Sequence, residues 1–173
     1  MKRIILFLFC FLFTFSSIGH AEPSLITTAA GQVYENKFNH IRMIFPINWC
    51  IFENTVNGFD QLTAYSRNHP SATILVSIGP HQVKEHAAPF LTKNISSLRD
   101  EKIEDQGETI ISGQKAQWIL ISGTDLGSKT YGLIYSIPTE KHDYIIVMSG
   151  NYNDYEEDRI IYDEFIRTLT IQP

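Results

Sequence analysis

Five histidines beyond residue 21, His40, His69, His81, His86 and His142, are the first side chains in this sequence with metal or acid–base chemistry within reach. A zinc site needs three or four ligands brought to one point, as two histidines four apart on a helix begin to do. His81 and His86 are five apart and would diverge on a helix, and His81 shares a helical face with Glu85 only if a helix starts that early. There is no His-Glu-x-x-His. The histidines therefore read as exposed loop residues, and no metal ligand is assigned.

Cys50 would act as a nucleophile only if a nearby histidine or helix N-terminus lowered its pKa. Its sequence neighbours Trp49, Ile51 and Phe52 supply neither, so the expectation is a small buried residue. Gly123-Thr124-Asp125-Leu126-Gly127-Ser128-Lys129-Thr130 has the glycines and lysine of a phosphate-binding loop but not their spacing. That motif needs four residues between the glycines, lysine directly after the second, and a helix to follow. Here three residues intervene, Ser128 separates Gly127 from Lys129, and a β-prone run follows, so the segment reads as a hairpin. There is no Gly-x-Ser-x-Gly elbow either.

Asp154, Glu156, Glu157 and Asp158 crowd together without calcium-loop spacing. Negative charge at a helix N-terminus is stabilised by the macrodipole, and that is the reading taken. Tyr131 and Tyr135 flank Leu133 on one strand face, while Tyr152 and Tyr155 stand at the start of the last helix. They are expected to lie buried under helices rather than to form an open binding surface. No catalytic residue, no cofactor-binding residue and no cofactor is assigned.

The elements that must position these residues belong to a globular chain. Over 173 residues, 43% are hydrophobic and the formal net charge is −5, which excludes disorder, and the absence of a long basic run argues against nucleic acid as a partner. Lys2 and Arg3 precede an apolar run from Ile4 to Phe15, and Gly19-His20-Ala21 offers the small residues signal peptidase requires. Residues 1–21 are therefore expected to be a signal peptide cleaved between Ala21 and Glu22, since the run is shorter than the ~20 residues of a membrane span. Cys10 lies inside the run after Phe9, a poor context for lipidation. Cleavage removes two bases and no acid, leaving 12 basic against 19 acidic residues, a charge of −7, and Cys50 as the single cysteine. No intramolecular disulfide is then possible, and the domain at 22–173 must hold by packing.

Within that domain, 32–38 and 41–45 read as a hairpin turning at Asn39-His40. Strands at 60–67 and 72–79 follow, separated by Asn68-His69-Pro70-Ser71, so that four strands precede the first helix. Ala87, Leu91, Ile95, Leu98 and Lys102 recur at helical spacing and predict a helix from about Ala88 to Glu104, with Pro89 in its first turn. A short strand at 108–112 and long strands at 116–123, 129–137 and 143–149 come next. In the last, Tyr144, Ile146 and Met148 face one way and Ile145 and Val147 the other, which predicts a sheet covered on both faces. A final helix is predicted at Tyr155–Thr168, with Asp154 as N-cap, Glu157 completing a capping box, and Ile161, Phe165 and Leu169 as the buried stripe. This order predicts an α+β fold with a mainly antiparallel sheet and two principal helices.

The stretch Tyr34-x3-Phe38-x6-Phe45-Pro46-x-x-Trp49 resembles the opening of the PsbP-like superfamily, which includes PsbP and DcrB-like exported bacterial proteins. Gly113-x-x-Ala116 and the terminal Phe165-Ile166-x-x-Leu169 are similar too, although Asn48 stands where a glycine is common. The resemblance implies an α/β/α sandwich around a central antiparallel sheet. It implies no shared active site, since members act as binding, assembly or chaperone modules with different partners. The expectation is an exported, non-enzymatic binding or assembly module, periplasmic or secreted, with a protein partner and no stable membrane insertion after cleavage. Two alternatives stand beside it: an exported enzyme whose site assembles only in three dimensions, and a carrier of a small ligand or metal.

Overall fold

The computed structural model describes residues 23–56, 58–68, 72–81 and 98–172. Six strands come first: β1 (Ser24–Thr28), β2 (Gly31–Asn36), β3 (Ile41–Phe45), β4 (Trp49–Val56), β5 (Phe59–Ser66) and β6 (Thr73–Pro80). After residue 98 follow β7 (Arg99–Ile111), β8 (Gln114–Asp125), β9 (Ser128–Pro138), β10 (His142–Asn151), a 3-10 turn (Tyr152–Asp154), α1 (Tyr155–Thr168) and β11 (Thr170–Ile171). They form a four-stranded sheet in the order β1-β2-β3-β11 and a seven-stranded sheet in the order β4-β5-β6-β10-β9-β8-β7. Each pairing is antiparallel.

Two-residue turns set the register of the long strands. Ser112-Gly113 joins β7 to β8 with φ of 51° and 78°, and Leu126-Gly127 joins β8 to β9 with φ of 47° and 86°. Positive φ at both positions gives the turn whose twist matches that of the paired strands. The segment that carried glycines and a lysine is therefore a hairpin tip, with Leu126 fully exposed.

The core lies between the large sheet on one side and the small sheet with α1 on the other. Met43 and Phe45 from β3, Val76 from β6, Ile146 and Met148 from β10 and Phe165 from α1 are all buried in it, and the Phe45 and Phe165 rings stand 5.0 Å apart. On the opposite face of the large sheet Ile121, Ile134 and Ile145 form a second buried cluster, with Leu98, Ile119 and Val147 against it. Tyr144, Ile146 and Met148 thus face one cluster and Ile145 and Val147 the other, as the alternation along β10 implied. The result is an α+β sandwich.

Several boundaries differ from the sequence reading. The first helix, expected over 88–104, falls partly outside the described residues, but Arg99–Glu104 belongs to β7. This strand sits at the sheet edge, where one side needs no apolar partner, so its charged composition suits it as well as a helix. Among the described residues there is one helix rather than two. Six strands, not four, precede residue 82, because Ser24–Thr28 and Trp49–Val56 are also strands. Helix α1 spans Tyr155–Thr168, the predicted range. Its Asp154 side chain makes no cap bond; Asn151 instead caps the preceding 3-10 turn by accepting from the Asn153 N–H. Its buried stripe starts with Asp158 and Tyr162, with Ile161 only half-buried.

Candidate functional site

The β4–β5 hairpin sets Thr55 opposite Asp60 and Glu53 opposite Leu62, and β6 brings Ile78 opposite Asp60. Strand period two puts these side chains on one face of the large sheet. Tyr34 and Asn36 approach from β2 of the small sheet. Together with Pro23, Asn54 and Gln61 they line a cavity of about 310 Å³.

Hydrogen bonds fix the wall of this cavity. Asn39, 3% exposed, donates through Nδ2 to Asp60 Oδ2 at 2.7 Å and through its backbone N–H to Asn36 Oδ1 at 3.0 Å. Its carbonyl accepts from the Tyr144 hydroxyl at 2.8 Å. The Thr55 hydroxyl donates to Asp60 Oδ1 at 3.2 Å, and Asn36 Nδ2 donates to the Tyr34 hydroxyl at 3.4 Å. Burial above all pushes the Tyr34 phenol up to about 12; the Asn36 hydrogen bond opposes it, and the hydrogen bond to and charge of Glu53, with the charge of Asp60, add to it. Tyr34 therefore remains a neutral donor at ordinary pH. The cavity presents two carboxylates, a phenol and three amides over an apolar floor of Leu62 and Ile78. Such a set accepts hydrogen bonds and attracts positive charge.

Three of the five histidines, His40, His81 and His142, fall within the described residues. The rings of His40 and His142 lie 6.1 Å apart, and His81 Nδ1 stands 2.7 Å from Asp143 Oδ1. Burial holds His142 below the usual imidazole range, helped by His40 and Lys141. His69 and His86 lie outside the described residues, as does the Ala21–Glu22 junction. Among the described residues no three His, Cys, Asp or Glu side chains converge on a metal position.

The other sequence candidates are placed as follows. Cys50 is half-buried rather than buried, and its Sγ accepts from Arg67 Nε at 3.0 Å. That bond, with a further one from Tyr65, lowers the thiol pKa, so the cation absent from the local sequence comes from the end of β5. Asp158 belongs to no open acidic cluster: it is fully buried and accepts from the Tyr131 hydroxyl at 2.7 Å. Tyr131 is buried as expected, with the Tyr155 ring edge-on at 4.9 Å. Tyr135, Tyr152 and Tyr155 are half-buried, and Lys129 Nζ sits 3.4 Å above the Tyr152 ring.

Glu53, Asp60 and Asn36 carry no signal of a site in the sequence, and Tyr34 enters there only as a motif residue, with no binding role. The signal available was Asn57-Gly58 between two β-prone runs, which marks a two-residue hairpin and would have set Thr55 opposite Asp60. Nothing local, however, announces that β2 will face that hairpin.

No protein-family model matches this chain, and no curated protein does. Solved structures do. The solution structure of cyanobacterial PsbP (CyanoP) from Synechocystis sp. PCC 6803 aligns over 84% of this chain and 95% of its own, at 9% identity and a TM-score of 0.66. LpqN of Mycobacterium tuberculosis, involved in cell envelope biogenesis, aligns over 88% and 91%, at 12% identity and a TM-score of 0.59. A Bacteroides thetaiotaomicron structure aligns over 78% of this chain but 46% of its own, at 14% identity and a TM-score of 0.52. Identities this low speak to the fold alone. With its two-faced antiparallel sheet and terminal helix, the chain has the PsbP-like fold.

Proposed function

We propose that this protein is an exported, non-enzymatic binding module that engages a protein partner along the β4 edge of its large sheet. The contrast between the two sheet edges carries this reading. Edge strand β7 holds Arg99, Asp100, Glu101, Lys102, Glu104, Asp105 and Glu108 and has register irregularities, features that keep other strands away. Edge strand β4 has one charged residue, Glu53, over eight residues. Its outward face carries Phe52, 54% exposed and stacked on Tyr65 with ring centroids 5.5 Å apart. An extended segment of a partner added along β4 would gain main-chain hydrogen bonds and cover these rings.

Export is supported by the leader at residues 1–21, and the role of LpqN in envelope biogenesis is in keeping with it. No helix among the described residues is long and apolar enough to cross a membrane. The test is recovery of a defined partner from an envelope or secreted fraction by the wild type and by Phe52→Lys. Loss of that partner from the variant, with its circular dichroism unchanged, is expected. A partner retained equally by both would remove β4 from the interface, and a robust turnover in a hydrolase screen would favour the enzyme alternative.

A further inference from the structure

The cavity between β2 and the β4–β5 hairpin lies on the opposite face of that hairpin from Phe52. We propose that it is a second, separate binding site, which takes a cationic nitrogen group, a guanidinium or primary ammonium on a short apolar stem. Its volume of about 310 Å³ suits a ligand of side-chain size, at the lower end of small-molecule pockets.

The sign of the ligand follows from the lining. Glu53 and Asp60 contribute negative charge, and no Lys, Arg or His is among the lining residues. An anion would be repelled, and only a cationic donor would gain charge-assisted hydrogen bonds from both carboxylates. Asp60 is already held by Asn39 and Thr55, one hydrogen bond to each oxygen. A carboxylate has about four lone-pair positions, so each oxygen keeps one for a ligand donor without reorganisation. Glu53 stands exposed at the rim, where its carboxylate accepts from the Tyr34 hydroxyl and keeps further lone pairs for an entering cation. Leu62 and Ile78 form the floor on which an alkyl stem would lie. The Tyr34 hydroxyl and the Asn36 amide, both more than nine-tenths buried, complete the polar wall.

A free amine and a basic side chain of a protein share this chemistry, and titration calorimetry of the purified chain separates them. The probes are agmatine, its neutral carbamoyl analogue, and the tripeptides Gly-Arg-Gly and Gly-citrulline-Gly. Saturable binding of the cationic probes is expected, with their neutral counterparts at least about tenfold weaker because charge-assisted hydrogen bonds are the strong ones. Glu53→Gln, a change at an exposed position, should weaken cation binding about tenfold and leave the neutral probes unaffected. Asp143→Asn, outside the cavity, should change nothing. Tighter binding of agmatine assigns the site to a free amine, and tighter binding of Gly-Arg-Gly to a partner's side chain. Equal affinity for cationic and neutral probes, no saturable binding, or an unchanged affinity in Glu53→Gln overturns the proposal. The Phe52→Lys experiment addresses the other face and is independent of all these outcomes.

Discussion

His142 shows how a single side chain acquires a property that its sequence context does not announce. At the start of β10 it is half-buried, with His40 6.1 Å away and Lys141 as its neighbour. Burial depresses its pKa most, His40 and Lys141 add to this, and Asp143 and Asp60 only partly oppose it. A histidine depressed in the folded chain takes up a proton more readily when unfolded, so acid favours unfolding. Its stabilising contribution is complete above the unfolded imidazole pKa of about 6.5 and is lost as pH falls from there through the folded value. Between about pH 7 and about pH 5.5 the wild type should therefore lose more melting temperature than His142→Gln. Equal losses in the two proteins would show that His142 does not drive the acid sensitivity. Cys50 makes the same point about context: residues 49–52 suggested an inert thiol, and Arg67, seventeen positions on, supplies the hydrogen bond that lowers its pKa.

At the scale of elements, α1 is tied to the large sheet by a buried polar network. The Tyr131 hydroxyl on β9 donates to Asp158 on α1 and lies 3.2 Å from the Tyr162 hydroxyl, which donates to the Ser149 carbonyl of β10 at 2.9 Å. This arrangement requires a glycine beside it, because a Cβ at Gly150 would stand 2.7 Å from both Asp158 Oδ2 and the Tyr131 hydroxyl. Gly150→Ala should destabilise the domain by about 1–3 kcal/mol through overpacking. Tyr131→Phe should cost a similar ~1–3 kcal/mol by leaving a buried carboxylate short of a donor. Urea denaturation measures both, and a shift below half a kcal/mol would mean that the helix docks without the network.

The same network explains where the sequence was hard to read. Asp158 falls among acids that suit a helix N-terminus, so its charge suggested solvent rather than core. The helix boundaries were legible because amphipathic periodicity is local, whereas the buried stripe shifted to Asp158 and Tyr162 because partners on β9 and β10 satisfy their polar atoms. Strand β7 was misread from the other direction. Its charged residues carry no alternation of period two, and only its pairing with β8 makes it a strand. Where strands were buried on both faces, as at β9 and β10, apolar runs between short turns identified them from sequence.

For the whole molecule, processing and assembly are separate questions. If the leader is removed as its spacing implies, the intact mass of protein recovered outside the cytoplasm will correspond to a chain starting at Glu22. A start elsewhere would overturn the assigned site, and a full-length mass would favour an uncleaved anchor. Among the described residues Cys50 is a free thiol, and the two hydrophobic clusters on either side of one sheet provide stabilisation by packing.

The globular class, the α+β order, the terminal helix and the central strands were all readable from the chain alone, because composition, periodicity and turn chemistry act over a few neighbouring residues. Packing alone sets β1, β2 and β3 with β11 in a separate small sheet, leaves β4 and β7 at the edges of the large one, and brings Tyr34 and Asn36 to Glu53 and Asp60 across a cavity. Those juxtapositions join residues 17 or more positions apart, and their chemistry comes from burial and proximity that exist only once the sheets have packed.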